Sequence, residues 1–183
     1  MPNHVDTSFT ISGKDKDVVL GIMREANEDI LNAFIPMPQT YIDYDTCNYT
    51  TDHNRAVTEK RKELSIGDKL EDGTIVSEEY LNKFKEAEEY QKTKYGIIGW
   101  YDWASKNWGT KWDTYEVRIE DDKVHFMTAW ECPFPLFEEL AKKYDISIKG
   151  HFVDYPNFSG VFEVKDKKLS VRYDKRCHVR TLK

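Results

Sequence analysis

Long apolar runs are missing from this chain: no stretch approaches the roughly 20 consecutive apolar residues of a membrane-spanning helix. Residues 1–10 hold neither a basic segment nor an apolar one, so no secretory leader and no membrane association are expected. Cysteine is scarce. Cys47, Cys132 and Cys177 are odd in number and far apart, which speaks against a disulfide framework and for reduced thiols in a cytoplasm. The histidines (His4, His53, His125, His151, His178) show neither His-x-His nor His-Glu-x-x-His spacing, and Cys177-His178 has no adjacent partner pair. No metal site and no cofactor are therefore expected. Also absent are a Gly-x-Ser-x-Gly elbow and a phosphate-cradling glycine loop, the usual marks of hydrolases and nucleoside triphosphatases. Acid pairs such as Glu78-Glu79, Glu88-Glu89 and Asp121-Asp122 read as solvated charge, and none singles out a general acid and base.

What is present suits one α+β domain. The 183 residues are 39% hydrophobic and 14% aromatic, enough for a substantial core because large rings bury much area each. Charge is distributed unevenly. Residues 165–183 hold eight Lys or Arg against two Asp, a balance of +6, and the net charge of −6 leaves −12 for the rest. A mostly acidic body disfavours nucleic acid at long range, while the basic end offers a possible phosphate contact or a charged edge guard.

Local patterns order the elements. Asp6–Ile11 reads as a strand, and Val18, Val19, Ile22, Met23 and Ala26 as the stripe of a helix over 14–27. Pro36 and Pro38 forbid its continuation. Residues 40–95 hold 22 charged residues and few large aliphatics, and read as a charged insertion with helices near 52–64 and 77–92. Between these two helices, Asp72-Gly73 suits a small hairpin over 66–76. Trp100, Trp103, Ala104 and Trp108 fall on one face of a helix that Gly109 ends. Thr114–Ile119 and Val124–Trp130 form a hairpin with a four-residue acidic loop; Pro133 and Pro135 open a helix with Leu136, Phe137, Leu140 and Ala141 inward. Strands at 146–154, 158–164 and 169–173 complete a mostly antiparallel sheet with helices on one face.

Trp100-Tyr-Asp-Trp103 with Asn107-Trp-Gly-Thr-Lys-Trp112 resembles the signature of the YubB-like family of phage- and plasmid-encoded proteins. Met1-Pro2-Asn3, Ile35-Pro-Met-Pro38, Phe126-Met-Thr-Ala-Trp130 with Pro133, and Tyr155 to Gly160 agree in order and spacing. The resemblance covers both ends and most of 96–160, and omits the charged insertion. It implies a ferredoxin-like topology and a mobile-element habitat in a bacterial host, without an established activity. His4 stands where the family usually has Trp, Met127 where it has Asp, and Glu131-Cys132 where it has Ser-Pro.

Two functional readings remain open. In the first, the protein is a non-catalytic interaction protein that binds a host or phage macromolecule, with modulation of host defence as one role. Its binding face is then the acidic insertion, with Glu78, Glu79, Glu86, Glu88 and Glu89, and nucleic acid meets the basic C-terminal end. In the second, Trp100, Asp102, Lys111, Trp112 and Asp113 form a pocket for a nucleotide or small molecule, with hydrolysis as a further option. The same tryptophans would also serve simply as a core stripe packed on the sheet, and Asp102 and Asp113 as caps.

Overall fold

Alternate residues of β1 (His4–Gly13) set the two faces of the main sheet: Val5, Thr7, Phe9 and Ile11 are buried, while Asp6, Ser8 and Thr10 point the other way. The structure is a computed structural model and describes residues 3–44, 49–50, 62–154 and 157–176. The chain divides into two compact units, Met1–Pro36 with Ala104–Lys183, and Met37–Trp103.

The first unit contains α1 (Lys16–Ala26), α2 (Ile30–Phe34), β4 (Tyr115–Glu120), β5 (Lys123–Ala129), α6 (Phe134–Lys143), β6 (Ile146–Asp154), β7 (Phe158–Lys165) and β8 (Lys168–Arg176). The sheet order is β4-β5-β1-β6-β7-β8, with every pairing antiparallel. β1 and β4 flank β5, and β5 and β6 flank β1. These are two interleaved split βαβ units, the ferredoxin-like arrangement, extended by the β7–β8 hairpin.

One face of this sheet is buried. Phe9 packs edge-on against Phe126 and against Phe137 of α6, and Phe137 meets Phe162 at 4.2 Å between ring centroids. Gly150 makes room for these rings: a methyl there would overlap the Phe162 ring and stand 2.7 Å from the Phe9 Cβ. α1 and α6 both lie on this face, with Val19, Leu20, Met23, Leu136, Phe137 and Leu140 inward. The α1 stripe is rotated from its expected phase. Val18 is 56% exposed and Ile22 only half-buried, while Leu20 is inside, because the sheet lies toward the 19–20–23 side. Cys132 is buried beside the Thr7 hydroxyl, and burial pushes its thiol pKa far up.

Two further expectations need correction. The β4–β5 loop is two residues rather than four: Glu120 pairs with Lys123, and Asp121 takes φ 50° to close the turn. The helix expected near 52–64 lies largely outside the described residues, and where it should end, Lys62–Glu63 forms the short strand β3 beside β2 (Tyr49–Thr50).

The second unit also holds α3 (Gln39–Asp43) and α4 (Glu78–Tyr95); α5 (Trp100–Asn107) gives its first turn, Trp100–Trp103, to this unit and the remainder to the first. The Ser77 hydroxyl caps α4 by accepting from the Tyr80 N–H, and Gly96 ends it at φ 67°. The expected hairpin at 66–76 is a tight turn with Leu70 and Thr74 bonded across Gly73. Leu64, Val76 and Phe84 form a small core. The buried Gln91 donates to the Thr40 carbonyl and accepts from the Gly99 N–H, tying three segments together.

Candidate functional site

The other face of the six-stranded sheet carries neither α1 nor α6, which lie on the buried face, and its strand register decides which side chains meet there. Ser8 lies directly between His125 on β5 and His151 on β6. The same row continues outward to Arg118 on β4 and, through Val161, to Arg172 on β8. One pleat along, Thr10 lies between Lys123 and Lys149, with Glu120 and Glu163 beyond them. These two rows line a concavity of about 430 Å³ that includes Ser8, Thr10, Arg118, His125, Lys149 and His151. A second hollow, sharing Lys149, reaches Arg172.

His125 stands at the centre of the hydrogen bonding. Its Nδ1 is 3.0 Å from the Ser8 hydroxyl and 3.4 Å from the Asp6 carboxylate. Serine, histidine and aspartate thus meet, but on one nitrogen. A nucleophile relay needs the carboxylate on one ring nitrogen and the hydroxyl on the other, so this arrangement orients the ring rather than activating Ser8. No three His, Cys, Asp or Glu side chains gather as a metal cluster among the described residues. The cations stay extended in water. Lys149 meets Glu163 at 3.6 Å, Arg118 meets Glu116 at 3.8 Å and Arg172 meets Asp174 at 3.4 Å, surface pairs of the kind worth under about 1 kcal/mol. Met127, where the YubB-like pattern has Asp, faces Asp6 on the next row.

The expected tryptophan pocket is divided. Trp100 and Asp102 belong to the second unit, and Lys111, Trp112 and Asp113 to the first. Asp113 is a tertiary cap. Its carboxylate accepts from the N–H groups of Leu31 and Asn32 in α2 and from Thr114, while burial holds its pKa above the usual carboxylate value despite those bonds. Lys111 reaches over the rings of Trp112 and Trp130, both about two-fifths exposed. Trp103 and Trp108 are buried. Trp103 packs on Tyr41 of its own unit, and Trp108 donates to the Ile35 carbonyl. Of the expected acidic residues, Glu78, Glu79, Glu86 and Glu89 are exposed on α4, but Glu88 is buried and cannot belong to a solvent face. The helix also carries Lys83, Lys85, Lys92 and Lys94, so its charges nearly balance.

The site on the bare sheet face escaped sequence reasoning because His125 and His151 are distant in sequence and show no short spacing. The outward hydroxyls at alternate positions of Asp6–Thr10 were the one local signal, and they do not reveal the register.

Residues 107–181 match the family model described as the ferredoxin-like domain in Api92-like protein. The crystal structure of protein api92 from Yersinia pseudotuberculosis is similar to this chain at 10% sequence identity and a TM-score of 0.47, over 97% of this chain and 99% of that one. No curated protein matches. Among the described residues no helix is long and apolar enough to cross a membrane.

Proposed function

We propose that this is a non-catalytic interaction protein of a phage or plasmid, acting in the host cytoplasm, and that its recognition surface is the bare face of the six-stranded sheet. The habitat in this reading rests on the resemblance of the tryptophan string to YubB-like proteins. The observation that carries the surface is the register. It collects Arg118, Lys123, His125, Lys149, His151 and Arg172 on two adjacent rows, with Glu120 and Glu163 at the flanks of one of them. The guanidinium and ammonium groups on this exposed surface can exchange their weak carboxylate pairings for the anionic groups of a negatively charged macromolecule. The acidic-helix alternative is weaker, since Glu88 is buried and the concavity of about 430 Å³ is lined by residues of the sheet and none of α4.

The test is affinity capture from the host cell with two variants. Arg118→Glu/Lys149→Glu/Arg172→Glu is expected to lose the captured partner at least tenfold, whereas Glu78→Lys/Glu79→Lys/Glu89→Lys keeps it. A partner lost by the helix variant and retained by the sheet variant would move recognition to α4.

A further inference from the structure

Resting on that reading of the sheet face, we infer that the surface binds single-stranded nucleic acid. Three features of the two rows point to this ligand. The first is planarity. Arg118, His125, His151 and Arg172 occupy one row across the six strands, interrupted only by Ser8 and Val161. Unpaired bases stack on imidazole rings and guanidinium planes, which accept any base by its π-face. Strands about 4.8 Å apart spread that row over about 24 Å, the reach of several nucleotides rather than of one phosphate.

The second is the neighbouring row. Lys123, Thr10 and Lys149 run parallel to the planar groups, one pleat away, and offer cations and a hydroxyl to a backbone lying beside the stacked bases. Glu120 and Glu163 flank this row. They confine the favourable potential to its middle, over the concavity that Ser8, Thr10 and the two imidazoles line.

The third is continuity. β8 is the edge strand of this sheet, and Arg172 on it carries the planar row to that edge. A duplex keeps its bases stacked inside and would leave the planar row without partners. An unpaired strand uses both rows.

The experiment is fluorescence anisotropy on the full chain with labelled 12-nucleotide RNA and DNA, a 12-base-pair duplex, and adenosine monophosphate as competitor. Saturable binding of a single-stranded 12-mer is expected, tighter than the duplex. With four cations neutralising phosphate, affinity should fall about 50-fold between 50 and 200 mM salt. His125→Ala/His151→Ala should weaken binding about tenfold or more through lost stacking, and Lys149→Ala/Lys123→Ala should flatten the salt dependence. Circular dichroism and melting curves check that each variant is folded. The inference is overturned if neither 12-mer binds saturably at 50 mM salt, if the histidine and lysine variants bind as the native chain does, or if the duplex or the mononucleotide binds at least as tightly. Should the 12-mers fail while the Arg118/Lys149/Arg172 variant still loses its cellular partner, nucleic acid is wrong and the recognition face stands. Indifference of both ligands to that variant removes the face itself.

Discussion

Tyr41 shows how a single buried hydroxyl can make one unit sensitive to alkali. Its ring is nearly fully buried against Tyr95 and Trp103, and its hydroxyl donates to the Ile97 carbonyl. Burial, with a smaller contribution from Tyr95, pushes its pKa up to about 12. The folded pKa lies above the unfolded value of about 10, so the stabilisation is whole below pH 10 and is lost as pH rises through 12. Denaturant melts of the native chain should weaken across that interval, and Tyr41→Phe should weaken less steeply. Equal slopes for the two would show that Tyr41 does not carry the effect. Single residues were also where sequence and structure agreed least evenly. Asp113 was legible as a cap only beside a pocket reading, and its bonds to Leu31, Asn32 and Thr114 decide for the cap. His125 was not, since its importance arises from a neighbour more than a hundred residues away.

Elements were more legible than residues because their signals are local. β-Branched and aromatic content marked β1, strands were expected at 146–154 and 158–164, and proline placement marked α6, as the structure bears out. The phase of α1 was missed because Val18, Val19, Leu20, Ile22 and Met23 leave two stripes open, and only the sheet chooses between them. The 4-versus-2-residue loop at Asp121 was missed because without glycine the left-handed turn had no sequence mark. Packing between elements offers a direct measurement. Gly150 lets the rings of Phe9 and Phe162 close over β6, so Gly150→Ala should cost about 1–3 kcal/mol by forcing those rings apart. Urea denaturation of the variant reads this, and an unchanged midpoint would mean that the aromatic layer yields without penalty.

At the scale of the whole molecule, charge and connectivity carry the information. The acidic body with a basic end was visible in composition, but only the sheet order shows that β8, Lys168–Arg176, is an edge strand. The second compact unit, Met37–Trp103, contains the charged stretch 40–95 that composition set apart, but its boundary after Trp103 left no mark because it falls inside a helix. Connectivity also has a temporal meaning. β1 occupies the middle of the sheet, yet its partners β5 and β6 begin at Lys123 and Ile146. On the ribosome the central strand therefore emerges well ahead of both partners and waits, both edges open, until the intervening residues 14–122 and then β5 and β6 have been made. Its inward residues Val5, Phe9 and Ile11 are exposed throughout that interval, and closing so long a loop slows pairing. The nascent chain is thus most vulnerable to aggregation just before β5 and β6 arrive, and holding it in that window is a task for chaperones rather than for the fold itself.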